Sequence, residues 1–207
     1  MEKKRYLIKV CGMTQADNIR ATEALSVDMI GLNFYPKSPR CLCQMPDYLP
    51  RQARRVGVFV NQPKEELAMY ADRFGLDYLQ LHGTESPGYC RTLQAAGFRL
   101  IKAFAIARAK DIEVAHDYEG LCEYFLFDTK TPRYGGSGEQ FDWTLLRHYH
   151  GQTPFLLGGG INAYSAKAIR ALRHPHLAGV DLNSRFEVSP GVKDVERLRR
   201  FLRELKE

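Results

Sequence analysis

Cys11, Arg40, His82 and Asp128, with the turns Gly158-Gly159-Gly160 and Asn183-Ser184, are the parts of this sequence best suited to chemistry, and each follows a short apolar run. Cys11 ends YLIKVC, and an ionised thiol there could act as a base. Lys9 stands two residues earlier, so in a strand both side chains face the same side. The expectation is that the Lys9 ammonium favours thiolate and draws a pKa that starts near ~8.5 towards neutrality. The bland alternative is a small buried hydrophobe. Asp128 closes the run YFLF, where desolvation would keep a carboxyl partly protonated, as a general acid near neutral pH requires; a capping aspartate is the alternative. Arg40 could clamp a carboxylate through its fork or be a solvated loop residue. His82 reads more simply as a structural histidine.

Gly158-Gly159-Gly160, followed by Ile161 and by Asn162 as a helix cap, would offer backbone N–H groups at a helix N-terminus, an anion site by geometry and dipole. With the Asn183-Ser184 loop beside it, the pair has the form of a barrel phosphate site; a glycine turn needed only for tight packing is the other reading.

These residues need elements that hold them at one edge, and the chain alternates strand and helix signals throughout. Strand-like runs are predicted at residues 6–10, 27–34, 55–60, 78–81, 99–105, 124–127, 155–157 and 179–182. Helices are expected at 15–25 with Thr14 as cap, near 46–53, and at 63–74 with Asn61 as cap. Further helices are expected at 86–96 with Pro87 in its first turn, at 109–118, from Asp142-Trp143, after Asn162, and at the end of the chain. The terminal segment KDVERLRRFLRELKE alternates charge around Leu198, Leu202 and Leu205, an amphipathic helix with a solvated face. A glycine-rich loop spans 129–140. Eight such units in 207 residues leave little for insertions and point to a minimal, single-domain (β/α)8 TIM barrel over 1–207 in the α/β class. A doubly wound open sheet is the runner-up, disfavoured because no G-x-G-x-x-G follows the first strand.

Composition narrows the function classes. With 44% hydrophobic and 26% charged residues the chain can bury a full core. No segment approaches ~18 uninterrupted apolar residues, and MEKKR leads into a strand-length run rather than the core of a signal peptide, so a cytoplasmic protein without a membrane partner is expected. Cys11, Cys41, Cys43, Cys90 and Cys122 lack C-x-x-C spacing, which argues against a disulfide framework and a structural zinc site. The net charge of +6 and pI near 9.1 are spread along the chain rather than gathered in a basic-aromatic strip. A phosphorylated small molecule, not nucleic acid, is the expected partner.

In order along the chain, IKVCGMT (8–14), GLNFYPKSPR (31–40), VGVFVN (56–61), LQLHG (79–83), FDT (127–129), GGSGEQFDW (135–143), LLGGGI (156–161) and VDLNSRFEVSPGVKD (180–194) resemble the successive signatures of the phosphoribosylanthranilate isomerase family of tryptophan biosynthesis. The resemblance implies a (β/α)8 barrel that opens the ribose of N-(5-phosphoribosyl)anthranilate and isomerises the aminoaldose in an Amadori rearrangement. It implies Cys11 as general base at C2 and Asp128 as general acid at the ring oxygen. It also implies Arg40 at the anthranilate, backbone around Gly159, Gly160, Asn183 and Ser184 at the phosphate, and Asp181 and His82 among the substrate-binding positions. No metal or organic cofactor follows from it, and a monomer or a homodimer is expected. Gly138-Glu139-Gln140 departs from the Gly-Lys-Thr often seen in that loop, and Gly158 stands where serine or alanine is common. Two competitors remain: the histidine-pathway aminoaldose isomerase, which carries aspartate where Cys11 stands, and a non-catalytic phosphate- or nucleic-acid-binding barrel.

Overall fold

The computed structural model describes residues 5–130 and 140–207, and the expected loop at 129–140, with Gly138 and Glu139, falls almost wholly outside the described residues. Eight parallel strands close into a barrel in simple sequence order: β1 (Leu7–Cys11), β2 (Met29–Asn33), β3 (Arg54–Phe59), β4 (Tyr78–Leu81), β5 (Leu100–Ile106), β6 (Tyr124–Thr129), β7 (Phe155–Leu157) and β8 (Leu177–Leu182). The ring shuts where β1 pairs with β8, with Ile8 opposite Val180 and Lys9 opposite Asp181. The TIM-barrel expectation is therefore met, and the open sheet is excluded.

Pleating divides each strand between two cores. Met29, Val56, Tyr78, Ile101, Ala103, Leu126 and Leu156 fill the barrel interior. Ile8, Val10, Ile30, Leu32, Phe125, Phe127, Phe155 and Leu157 face outward into a larger cluster shared with the helices. Because these strands are covered on both faces they read as near-continuous apolar runs, which is why sequence locates them well. The alternation also fixes where chemistry can sit: Lys9 and Cys11 lie on the face opposite Ile8 and Val10, and Asp128 on the face of Leu126, so all three point into the barrel.

The outer layer holds α1 (Ala16–Glu23), α2 (Lys64–Phe74), α3 (Pro87–Ala95), α4 (Ala109–Glu113), α5 (Ala166–Ala171) and α6 (Val195–Lys206). The α6 stripe of Leu198, Phe201, Leu202 and Leu205 is buried, as its periodicity predicts. Ser86 caps α3 by accepting the Tyr89 N–H at 3.2 Å, with Pro87 in the first turn. Among the described residues no helix is long and apolar enough to cross a membrane.

Several expected elements take other forms. Thr14 does not cap α1: its hydroxyl donates to the Gly191 carbonyl at 3.1 Å. Asn61 sits at φ 52° before Pro63, its side chain accepting the Thr84 N–H at 2.8 Å instead of capping α2. The unit at 109–118 splits into α4 and a 3-10 turn, Val114–Tyr118, and the helix from Asp142 is a 3-10 segment, Trp143–His148. Asn162 caps a turn, not a helix, because its side chain accepts the Tyr164 N–H at 2.9 Å and α5 begins only at Ala166. A short hairpin, β9 (Glu187–Ser189) with β10 (Val192–Lys193), follows β8 where sequence reading had only a loop.

The helix expected at 46–53 is absent, and a side chain supplies what helical bonds would have supplied. Glu23, at the end of α1, accepts the N–H groups of Arg51, Gln52 and Ala53 at 2.7, 2.7 and 2.9 Å and the Tyr48 hydroxyl at 2.5 Å. Pro46 and Pro50 each lack a helical donor, so one buried carboxylate substitutes for the missing turn. Glu23→Ala strands those donors, and the free energy of unfolding should fall by about 2–4 kcal/mol with the m-value unchanged in urea titrations.

Candidate active site

Cys11 ends β1 with its side chain 4% exposed and its thiol directed at Gly31, its ladder partner on β2. A methyl group at Gly31 would stand 2.7 Å from Cys11 Sγ, so the thiol needs a glycine opposite it. Burial pushes the Cys11 pKa up, and this outweighs the downward pulls of the Lys9 and Lys193 ammoniums; Asp181 adds to the rise. The expected drift towards neutrality is thus corrected. Lys9 does favour thiolate, but desolvation at the barrel centre is the larger effect.

Lys9 is fully buried, with Nζ 2.8 Å from Asp181 Oδ1 across the β1–β8 seam. Burial pulls its pKa down, yet Asp181 and Cys11 together hold it above its ordinary value, so the ammonium keeps its charge. Asp181, placed by the same register, faces both Cys11 and Asp128 electrostatically.

Asp128 stands at the end of β6 opposite the small side chain of Ala105 on β5. Burial, and after it the Asp181 charge, push its carboxyl up to about 6, against the Thr129 N–H at 2.7 Å and the Lys9 charge. Desolvation is the cause anticipated from the apolar run before it. The side chain keeps 19% of its surface exposed, so it remains open to a ligand at the mouth.

His82 follows β4, and its Nε2 lies 3.5 Å from Asp128 Oδ2. Burial, with Lys102 and Lys9 nearby, pulls its pKa down to about 3, so the ring is neutral and the contact is not an ion pair. Gln80 Nε2 is 2.9 Å from Nδ1; donation there assigns the ring proton to Nε2, aimed at Asp128. Gln80, itself buried, was not singled out by sequence, although its place two residues before His82 puts both on one face.

Arg40 is 8% exposed rather than solvated. Its fork is already engaged: Nε lies 2.9 Å from Glu187 Oε1 and Nη2 lies 2.6 Å from Oε2. The bidentate edge therefore goes to a protein carboxylate, and a ligand would meet the remaining Nη1 edge. Glu187 and Lys193, on β9 and β10, are the site neighbours that sequence reading missed. Ser189-Pro190-Gly191 between EV and VK was the available signal of a tight hairpin.

The loops after β7 and β8 are neighbours because those strands pair. Gly159 and Gly160 have φ of 74° and 68°, so this is a left-handed glycine turn and not the start of a helix. Among the described residues, no group accepts the N–H of Gly159, Gly160, Asn183 or Ser184. Four donors at one rim can hold an anion without a helix dipole. The site thus joins a thiol, a carboxyl with a raised pKa, a buried cation–anion pair between them, and free backbone donors at the rim.

Comparison with known proteins gives consistent matches over almost the whole chain. Residues 8–204 match the family model described as N-(5'-phosphoribosyl)anthranilate (PRA) isomerase. N-(5'-phosphoribosyl)anthranilate isomerase of Phocaeicola vulgatus is 47% identical, covering 97% of this chain and 98% of its own. That of Parabacteroides distasonis is 49% identical, covering 96% and 93%. The crystal structure of phosphoribosyl anthranilate isomerase from Thermotoga maritima superposes with a TM-score of 0.82 at 33% identity over 98% of this chain and 99% of that one. A phosphoribosyl anthranilate isomerase in complex with reduced 1-(o-carboxyphenylamino)-1-deoxyribulose 5-phosphate superposes with a TM-score of 0.80 at 28% identity, over 98% and 99%.

The raised Asp128 pKa has a stability consequence whose sign is fixed. Between about 4 and about 6 the folded protein binds this proton and the unfolded chain does not, so Asp128 makes stability fall as pH rises through that window. Asp128→Asn should therefore stabilise the fold by about 2 kcal/mol at pH 7.5 and by almost nothing at pH 4, read from urea midpoints at both.

Proposed function

We propose a division of labour within this site from one premise: the chain belongs to the N-(5'-phosphoribosyl)anthranilate isomerase family and converts N-(5-phosphoribosyl)anthranilate to 1-(2-carboxyphenylamino)-1-deoxyribulose 5-phosphate in tryptophan biosynthesis. Asp128 gives a proton to the ribose ring oxygen, the C1–N bond takes on double-bond character, and the ring opens. Cys11, as thiolate, removes the C2 proton of the resulting iminium to give an enamine. Return of that proton to C1, with loss of the C2 hydroxyl proton towards Asp128, gives the ketone and restores both groups. Every proton is thereby accounted for, and the rearrangement needs no metal or organic cofactor.

The observation that carries this reading is that Cys11 and Asp128 both face the barrel interior at one rim, with the Lys9–Asp181 pair in electrostatic reach of each. Lys9 and Lys193 favour the thiolate and Asp181 favours the protonated carboxyl, the two forms the reaction consumes. His82, neutral, can hold Asp128 or a substrate hydroxyl without adding charge. Arg40 meets the anthranilate carboxylate with the edge Glu187 leaves free, and the N–H groups of Gly159, Gly160, Asn183 and Ser184 take the phosphate. We assign residues 1–207 to one catalytic domain, working in the cytoplasm as a monomer or a homodimer on a phosphorylated small-molecule substrate, without a nucleic-acid or membrane partner.

Activity follows from anthranilate fluorescence with freshly made substrate and from growth of a tryptophan auxotroph lacking this step. Cys11→Ser and Asp128→Asn should each lower kcat by at least ~10²-fold, the scale of positioned acid–base catalysis. Full turnover in either variant removes that residue from the mechanism. Arg40→Ala should act mainly on KM, rising at least ~10-fold, as loss of a charge-assisted contact to a carboxylate requires.

A further inference from the structure

Glu187 is an anion buried beside a substrate that is itself anionic at both ends, and nothing in the proton chemistry calls for it. Its side chain is 5% exposed. One carboxylate oxygen, Oε2, takes Arg40 Nη2 at 2.6 Å. The other, Oε1, takes Arg40 Nε at 2.9 Å, Lys193 Nζ at 2.6 Å and the Gly191 N–H at 3.1 Å. Lys193 Nζ, completely buried, donates onward to Asn183 Oδ1 at 2.8 Å.

The hairpin that carries these groups is pinned to the segment that follows β1. Asn18 on α1 donates to the Lys193 carbonyl at 2.8 Å and accepts the Lys193 N–H at 2.7 Å, and Thr14 holds the Gly191 carbonyl. Gly12, directly after Cys11, packs between the two ends of the network: a methyl group there would meet Arg40 Cδ at 2.7 Å and Asn183 Oδ1 at 3.1 Å. Arg40 lies in the loop after β2 and Asn183 in the loop after β8, and β1 stands between those two strands, so no direct strand pairing joins them. The Glu187–Lys193 pair is what ties them together.

We propose that Glu187 is a positioning residue, whose carboxylate fixes Arg40 directly and Asn183 through Lys193, and so sets the spacing between the carboxylate-binding and phosphate-binding ends of the substrate site. The physical reason is entropic and directional. An arginine side chain has many accessible rotamers, and a bidentate partner removes most of that freedom before the ligand arrives. The fork held by Glu187 leaves one edge of the guanidinium presented at the mouth, while Lys193 neutralises the second half of the carboxylate so that it does not repel the substrate. This rests on the role given above to Arg40 and Asn183.

The test uses Glu187→Gln, which keeps the shape and removes the charge, and Glu187→Asp, which keeps the charge and shortens the reach by one methylene. KM and kcat for N-(5-phosphoribosyl)anthranilate, and the inhibition constant of inorganic phosphate, are measured in each, with Arg40→Ala and the Arg40→Ala/Glu187→Gln double variant. The proposal expects Glu187→Gln to raise KM at least ~10-fold with kcat within ~3-fold, and Glu187→Asp to do the same to a smaller degree. It also expects the Glu187→Gln effect on KM to shrink by at least ~5-fold in the Arg40→Ala background, since the two act as one unit. Phosphate inhibition should weaken at least ~5-fold in Glu187→Gln through the Lys193–Asn183 link. If Arg40→Ala raises KM and neither Glu187 variant does, the positioning role is overturned while the Arg40 clamp stands. Additive effects in the double variant, or a fall in kcat without a change in KM, overturn it as well. If Arg40→Ala leaves KM unchanged, the clamp fails instead, and Glu187 is judged by phosphate inhibition, where an unchanged constant rejects it. Should Glu187→Gln fail to fold, Glu187→Asp carries the same comparisons.

Discussion

The ion pair between Lys9 and Asp181 is the contact on which both barrel and site depend. Neither group reaches water freely: the side chains are 1% and 9% exposed. Two charges taken out of water lose several kcal/mol of hydration each, and only close contact in the right geometry offsets that. The geometry here comes from the seam, where Lys9 and Asp181 are direct ladder partners as β1 meets β8. A slip of one residue would turn Lys9 and Cys11 outward among the helices and leave Asp181 an unpaired buried anion. Correct closure of the ring, the inward aim of the thiol and neutralisation of the interior are therefore one condition, satisfied or lost together.

The pair also bears on a conflict between burial and chemistry. A dry barrel mouth raises the pKa of both Cys11 and Asp128. That suits an acid, which must keep its proton, and opposes a base, which must lose it. The asymmetry comes from where the countercharges lie. Lys9 lowers and Asp181 raises the pKa of both groups, whereas Lys193 on the hairpin adds a second charge that favours the thiolate. The Lys9 and Lys193 ammoniums lessen the rise that burial imposes on the thiol without cancelling it, and Asp128 keeps its proton up to about 6.

The parts of this molecule that sequence makes legible are those set by strand periodicity. Cys11 and Asp128 end strands buried on both faces, so their rim and their inward aim follow from counting residues. What sequence misreads is set by three-dimensional competition for hydrogen bonds. Residues 46–53 have no helix, and Glu23, over twenty positions away, accepts the N–H groups of Arg51, Gln52 and Ala53 instead. Thr14, Asn61 and Asn162 carry capping side chains, yet Gly191, Thr84 and Tyr164 are nearer partners than the helices they precede. The sign of the Cys11 shift fails for a related reason: spacing reveals Lys9 as a neighbour but says nothing of how dry the neighbourhood is.

The hairpin after β8 shows how a minimal barrel makes up for missing insertions. Loops are the usual source of binding groups in this architecture, but loops alone hold those groups loosely. Here a two-strand ribbon of a few residues brings Glu187 and Lys193 inside, buries both, and links the loop after β2 to the loop after β8. These charges stabilise one another: Arg40 and Lys193 hold the Glu187 carboxyl below its usual range despite burial, and Lys193 keeps its contacts although burial pulls its own pKa down. A network that exists only when complete is rigid for that reason, since losing one member strands the rest as buried charge. Rigidity at the rim, bought by mutual dependence rather than by added chain, is what lets so few residues hold a substrate at both ends while its bonds rearrange between them.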